Sequence, residues 1–299
     1  MSVYLCGELD AAEREAWLAQ LREALPGERV ADTLAGLDPA AVDVAVVANP
    51  APGSLRGLPG LRLIQSLWAG VDRLLADPTL PAGVPLARMV DPAMNAAMAE
   101  TALWAALALQ RGFFAYARQQ RESLWQPLPQ RRADEWRVTV LGRGQMGGAV
   151  AARLAAQGYA LRVWHREAGP LAAALAGADA VFNLLPLTPA TRGLLDAAAF
   201  AAMKPGAALV NLARGAHVVE ADLLAALDAG RLAHAVLDVF AHEPLPAGHR
   251  FWAHPRVTVL PHAAAQTDPR SAAAVVAANV QALRAGRPLA HRVDRSLGY

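Results

Sequence analysis

"VTVLGRGQMGGAVAARLAAQGYALRVWHR" (residues 138–166) decides the fold of this 299-residue chain. A short apolar run leads into Gly142-x-Gly144-x-x-Gly147, an alanine-rich helical stretch follows, and a second β-rich run closes the unit. Strand, turn, helix and strand in that order are the setting in which such glycines hold a dinucleotide. Gly142 allows the tight turn, Gly144 lets backbone approach a pyrophosphate, and Gly147 lets the helix lie close on the strand. The first helical amides, at Gln145 and Met146, then face the phosphates.

The second strand of the unit ends in Trp164, His165 and Arg166. Asp or Glu ordinarily stands there to bind the adenosine ribose, and would repel a 2′-phosphate. Arg166, with His165 beside it, suits that phosphate through charge-assisted hydrogen bonds. The expected coenzyme is therefore NADP, with NADPH preferred over NADH.

Outward from this unit, short β-rich runs alternate with amphipathic Ala/Leu-rich stretches, the pattern of parallel α/β sheets. "VYLC" (3–6), "VDVAVVA" (42–48) and "LRLIQSL" (61–67) are strands of the first half. "DAVFNLL" (179–185), "AALVNLA" (207–213), "AHAVLDV" (233–239) and "RVTVLP" (256–261) continue the second. Helices are expected over 10–24, 95–119 and 268–285. The fold class is α/β with two doubly wound parallel-sheet domains, a Rossmann coenzyme domain and a flavodoxin-like substrate domain. Residues 1–97, completed by 266–299, are assigned to the substrate domain and 98–265 to the NADP-binding domain, with a helix rather than a tether crossing between them.

Composition narrows the function. The chain is 55% hydrophobic and 18% charged with a net charge of +2. Of 28 basic residues only Lys204 is lysine, and no run of like charges forms a stripe, so no nucleic-acid partner is expected. No apolar run approaches the ~20 residues of a membrane span. "MSVYLCGELDAAERE" carries no signal-peptide pattern, and the one cysteine, Cys6, fits a reducing compartment. The expectation is a soluble cytoplasmic protein.

Three strand ends carry polar side chains where ligands bind in doubly wound sheets. Arg214 follows "ALVNLA", Asp238 and then Glu243 follow "AVL", and His262 follows "VTVLP". This set suits hydride reduction of a 2-keto acid. Arg214 can grip the substrate carboxylate and keto oxygen bidentately. His262 can protonate the carbonyl oxygen, and Glu243 within hydrogen-bond reach would keep that imidazole charged. Taken singly, each residue also has an ordinary structural reading. His242, Glu243, His249, His254 and His262 suggest a metal, but the prolines of "HEPLPAGH" (242–249) prevent a shared helical face, so none is expected. In "LWAGVD" (67–72), Ala69, Gly70 and Val71 form a strand-to-helix corner whose free amides can bind a carboxylate.

The fingerprint, "NLARG", "LDVFAHEPLP" and "PHAAA" together resemble the D-isomer-specific 2-hydroxyacid dehydrogenases, in the family's order and over nearly the whole chain. "SLWQPLP", "HVVEADLLAALDAG" and "VDRSLGY" are similar to the glyoxylate/hydroxypyruvate reductase A group within it. The resemblance implies an NADPH-dependent reductase of glyoxylate or hydroxypyruvate, with Arg214, Glu243 and His262 catalytic. It places Leu185, Pro186, Ala213 and Asp238 with the coenzyme, Asp238 facing the nicotinamide and Pro186 the adenine side. Trp68 to Val71 and Arg214 would hold the substrate. One departure stands out: only about a dozen residues separate Arg166 from Asp179, where family members carry more chain and a short edge strand. The coenzyme sheet is therefore expected to lack that strand, leaving the 2′-phosphate pocket open and the NADP selectivity weaker.

Two rivals follow from the same residues. The β-hydroxyacid dehydrogenases open on a similar fingerprint, but at the chain start and with a catalytic lysine on a later helix. Here 137 residues precede it and Lys204 sits in "MKPG", a turn. A nucleotide-sensing, non-catalytic protein on the same fold is the other. Finally, "RGFFAYARQQRESLWQPLP" (111–129) exposes enough apolar surface to predict a homodimer.

Overall fold

In the computed structural model, which describes residues 1–299, the chain divides into two compact units, Met1–Met94 with Thr267–Tyr299, and Asn95–Gln266. Every strand pairing in both is parallel.

The first unit holds β1 (Ser2–Gly7), α1 (Ala11–Ala24), β2 (Arg29–Ala31), β3 (Val42–Ala48), β4 (Leu63–Ser66), α2 (Asp72–Leu75) and β5 (Leu86–Ala87). Its sheet runs β2-β1-β3-β4-β5, the flavodoxin-like order. All seven residues of β3 are buried, which is why "VDVAVVA" reads as a continuous apolar run rather than an alternating one. Asp10 starts α1 with a capping box, accepting from the Glu13 amide at 2.8 Å while Glu13 accepts from its own. After the second unit the chain returns as α10 (Pro269–Arg284), which packs on α1. Arg284 then bonds Glu28 at 2.6 Å and pairs with Asp43, so the returning helix is tied by charge as well as by packing.

A long helix, α3 (Pro92–Gln110), contains the division point at Met94 and Asn95. The helical pattern over 95–119 is not one helix. It breaks at Gly112, whose φ of 72° lies in the left-handed region, and resumes as α4 (Phe113–Arg121). Glycine adopts that conformation without the Cβ penalty other residues meet, so it turns the chain where the apolar pattern alone would continue it.

The second unit continues through β6 (Arg137–Leu141), α5 (Gln145–Ala156), β7 (Ala160–Trp164), α6 (Leu171–Leu175), β8 (Ala180–Asn183) and α7 (Ala197–Ala202). It is completed by β9 (Ala207–Asn211), α8 (Glu220–Asp228), β10 (Leu232–Leu237), α9 (Arg250–Ala253) and β11 (Val257–Val259). The order β11-β10-β9-β8-β6-β7 is the Rossmann arrangement without its outermost strand, as the short spacing after Arg166 predicts. Only the five-residue α6 crosses from β7 to β8.

Both faces of this sheet are covered, and successive residues divide between them. Val138, Val140, Ala180, Phe182, Ala208 and Val210 pack with α3 and α5. Leu141, Val181, Leu209 and Leu237 pack with α6, α7 and α8 on the other side. Burying each large apolar side chain contributes about 1.5–3 kcal/mol. The central strands are thereby held rigid, and their carboxyl ends become fixed points for the loops that follow.

Candidate active site

The glycine turn joins β6 to α5 as its sequence requires. Gly142 has φ 110°, and its amide donates to the Trp164 carbonyl at 2.8 Å, which ties the turn to the end of β7. A Cβ on Gly142 would lie 2.8 Å from the Leu184 carbonyl oxygen, and one on Gly147 would collide with the Gly142 carbonyl. The loop after β8, bearing Leu185 and Pro186, therefore lies directly against the turn. Above Gly144 nothing lies within 4 Å of a Cβ position, and α5 starts there with no side-chain cap. The Gln145 and Met146 amides thus begin a twelve-residue helix with their own donors unclaimed by a capping group. An open approach, uncapped amides and close-packed glycines fit a pyrophosphate.

Beyond β7 the indole of Trp164 donates to the Gly169 carbonyl at 2.9 Å and holds the turn 165–169 in place. His165 is half-buried and Arg166 is exposed. Arg143, which sequence reasoning passed over as the variable residue of Gly-x-Gly, stands at the same corner. Its guanidinium donates to Glu167 at 2.7 Å and comes within 3.4 Å of His165 Nε2.

On the far strands, Glu243 and His262 come together although 19 residues separate them. The imidazole Nδ1–H donates to Glu243 Oε2 at 2.7 Å, which leaves Nε2 unclaimed by that bond. Oε1 of the same carboxylate accepts the Phe240 amide at 2.8 Å, so the acid is anchored before it meets the histidine. The Glu243 hydrogen bond raises the His262 pKa above its ordinary 6.5, against burial and the nearby Arg214 charge. Burial pushes the Glu243 carboxyl up, but the His262 and Phe240 hydrogen bonds with the His262 and Arg214 charges bring it below its ordinary 4.5.

His262 itself has a left-handed φ of 53°. Its amide donates to the Asp238 carbonyl at 2.9 Å, and the Asp238 carboxylate accepts the next two amides, Ala263 at 2.7 Å and Ala264 at 3.1 Å. Asp238 is only 2% exposed, and burial raises its pKa despite those two amides.

Arg214 follows β9, and its charge reaches both Glu243 and His262. Its Nη1 donates to the Ala213 carbonyl at 2.8 Å. Beneath it lies a wholly buried polar group that sequence reasoning missed. Asn183 donates to Asn211 at 3.0 Å, and Asn211 donates to the Arg214 carbonyl at 3.0 Å. His217 completes it, with Nδ1 3.0 Å from Asn183 Nδ2 and Nε2 3.2 Å from the Pro186 carbonyl. Nδ1 also lies 3.1 Å from the Arg214 carbonyl, so the ring touches both loops. The loops after β8 and β9 are thus tied through one buried imidazole. Asn at the ends of two apolar strands, "VFN" and "LVN", was the available signal.

Trp68, Ala69, Gly70 and Val71 belong to the other unit, between β4 and α2. The Ser66 hydroxyl bonds the Trp68 amide and carbonyl, each at 3.0 Å, and fixes the corner. The amides of Ala69, Gly70 and Val71 donate to no group in the chain. Because α2 has four residues, the corner offers these free amides rather than a substantial helix dipole. No group of three or more His, Cys, Asp or Glu side chains is arranged to hold a metal ion, and no helix is long and apolar enough to cross a membrane.

Residues 103–264 match the family model described as the NAD binding domain of D-isomer specific 2-hydroxyacid dehydrogenase. The chain belongs to the D-isomer specific 2-hydroxyacid dehydrogenase family. It is 44% identical to the glyoxylate/hydroxypyruvate reductase A of Serratia proteamaculans over 302 residues, covering 95% of this chain and 96% of the relative. The Yersinia enterocolitica protein of that name is 41% identical, covering 96% and 97%. A Xanthobacter autotrophicus dehydrogenase of the family, solved with NADPH and MES, superposes with a TM-score of 0.94 at 39% identity, covering 100% and 99%. The NADPH-dependent glyoxylate/hydroxypyruvate reductase of Sinorhizobium meliloti, solved with NADP and sulfate, gives 0.91 at 34% identity with full coverage of both chains. Membership in this oxidoreductase family replaces the β-hydroxyacid dehydrogenase reading and agrees with the absence of a helical lysine.

Proposed function

We propose that this dehydrogenase reduces a small 2-keto acid, glyoxylate or hydroxypyruvate, to the 2-hydroxy acid with NADPH. The 2.7 Å hydrogen bond between His262 and Glu243 carries the reading, because it prepares a charged acid with one nitrogen free. The named activity of the Serratia and Sinorhizobium relatives supports the choice of substrate. NADPH, when bound, supplies the hydride.

The chain's own residues do the remaining work. The turn Gly142–Gly147 with the Gln145 and Met146 amides receives the pyrophosphate, while His165 and Arg166 receive the 2′-phosphate. Leu185, Pro186, Ala213 and Asp238 border the coenzyme. Arg214 pairs with the substrate carboxylate and keto oxygen, and the free amides of Ala69 to Val71, beside Trp68, take the carboxylate. His262 holds a proton at Nε2 and passes it to the carbonyl oxygen, while Glu243 stabilises the charge the ring carries beforehand. In this reading residues 98–265 form the NADP domain and 1–97 with 266–299 the substrate domain.

We also infer a homodimer in the cytoplasm. Phe113, Leu124 and Trp125 are exposed, Trp125 at 98%. The arm bearing them is nevertheless pinned, since the Leu128 amide donates to the Tyr116 hydroxyl at 2.9 Å and Arg111 to Gln130 at 2.7 Å. A fixed apolar arm in water is best explained by a second copy. The buried thiol of Cys6 supports a reducing compartment.

Consumption of NADPH on adding glyoxylate or hydroxypyruvate tests the activity. No turnover with either, by a chain that still binds NADPH, would favour a nucleotide-sensing role.

A further inference from the structure

The corner beyond β7 holds more charge than the proposed 2′-phosphate contacts use. Arg143 donates through Nη2 to Glu167 Oε2 at 2.7 Å, while Nη1 lies 3.4 Å from His165 Nε2. Glu167 Oε2 is also 3.8 Å from His165 Nδ1, a buried atom with no hydrogen-bond partner. Arg166, between them in sequence, is exposed and engages no group in the chain. One guanidinium and an imidazole therefore meet one carboxylate, Arg166 is carried by the same turn of chain, and the carboxylate holds the guanidinium nearest the glycine turn. No strand lies outside β7, so the corner opens to solvent.

We propose that Glu167 is a built-in stand-in for the coenzyme 2′-phosphate. It occupies Arg143 until the phosphate displaces it, and so limits the preference for NADPH over NADH. The proposal rests on the reading of NADPH as coenzyme. A phosphate monoester carries nearly two negative charges and three acceptor oxygens, so it outcompetes a single carboxylate for Arg143. The displaced carboxylate remains on the next turn of chain, close enough to repel its successor. NADH brings a neutral hydroxyl to the same place, leaves the ion pair intact and is spared both costs. Glu167 thus acts selectively against the phosphorylated nucleotide. Both partners are about three-fifths exposed, 60% and 59%, so solvent keeps the effect modest.

Titration of NADPH and NADH against the full chain without substrate, followed by nucleotide fluorescence, tests this. Glu167→Gln should tighten NADPH by roughly 3- to 10-fold and leave NADH within about 2-fold, with the gain shrinking as salt rises. Glu167→Ala should behave alike, since charge rather than shape is at issue. Arg143→Gln should weaken NADPH, and adding Glu167→Gln to it should recover less than the single variant gains, because the two residues act on one interaction. The proposal fails if Glu167→Gln leaves the NADPH-to-NADH ratio unchanged or moves both nucleotides together. It fails equally if NADPH weakens, which would make Glu167 the support that aims Arg143. A wild-type chain that binds neither nucleotide would overturn the coenzyme reading itself, a result visible before any variant is compared.

Discussion

Asp238 holds His262 from behind: its carbonyl accepts the His262 amide at 2.9 Å, and its carboxylate takes the amides of Ala263 and Ala264. The acid that follows β10 thereby braces the left-handed backbone, φ 53°, from which the imidazole meets Glu243. A non-glycine residue in that region costs about 1–3 kcal/mol and persists only where its surroundings fix it. Asp238→Asn keeps the shape but replaces one acceptor with a donor. We expect it to lower stability by about 1–3 kcal/mol, because an NH2 group in place of Oδ2 would face the Ala264 N–H 3.2 Å away, donor against donor. Turnover should fall about 10-fold more than nucleotide affinity does, because the loop that carries His262 relaxes. Denaturant unfolding and a kcat measured beside NADPH titration check both; a stability loss with kcat intact would reduce Asp238 to scaffolding.

The histidine is the second test. His262→Gln preserves a polar group but cannot donate a titrating proton, so turnover should fall roughly 10²–10⁴-fold while NADPH binding survives. Steady-state kinetics with direct binding separates the two, and unchanged turnover would remove His262 from the chemistry.

The pH dependence follows from the His262–Glu243 pair. The folded His262 pKa is raised, so its contribution to stability is complete below the unfolded value near 6.5 and lost as pH rises through the higher folded value. The folded Glu243 pKa is lowered, so its contribution is complete above about 4.5 and lost as pH falls through the lower folded value. The pair therefore stabilises most between about pH 4.5 and 6.5, and His262 stays charged to somewhat higher pH. Glu243→Gln removes the main cause of the raised histidine value and leaves burial and Arg214 opposing the charge. The alkaline limb of kcat/KM should move to lower pH. A pH–rate profile of wild type and variant checks it, and superposable limbs would detach Glu243 from the titration.

Arg166 offers a separate test of coenzyme choice. Exposed and unengaged, it has no hydrogen bond to give up on turning toward a phosphate, only rotamer freedom. A charge-assisted bond of roughly 1.5–3 kcal/mol, taken at its lower end in an open pocket, predicts about 10-fold weaker NADPH for Arg166→Ala. NADH should be nearly unchanged. Parallel losses for both nucleotides would make the residue structural.

The order of the coenzyme unit could be read from its sequence because each of Gly142, Gly144 and Gly147 answers a different steric demand. The missing edge strand could be read by counting residues between Arg166 and Asp179. The helix break was harder, since one glycine in an apolar helical pattern costs only about 1 kcal/mol and often changes nothing. The three-residue β2 is too short to show a period. Asn183, Asn211 and His217 escaped for a different reason. They meet only because β8 and β9 lie side by side, which no local pattern reveals. Arg143 and Glu167, 24 residues apart, meet through the register of β6 on β7. The candidate residues Arg214, Glu243 and His262 were legible at strand ends; the buried group beneath Arg214 and the ion pair beside His165 were not.

The aromatic arm supplies the last prediction. In a two-fold dimer each substitution is felt twice, because the same patch serves both copies. Burying one large aromatic side chain is worth about 2 kcal/mol, so Trp125→Ser should cost about 4 kcal/mol per dimer and weaken association roughly 10³-fold. The fold of each chain should survive, since Trp125 is 98% exposed and the arm is pinned elsewhere, through Tyr116 and Gln130. Light scattering across a dilution series should show wild type as a dimer at micromolar concentration and the variant as a monomer with unaltered circular dichroism. A wild-type chain that scatters as a monomer would leave the arm unexplained and the dimer disproved, whatever the variant does.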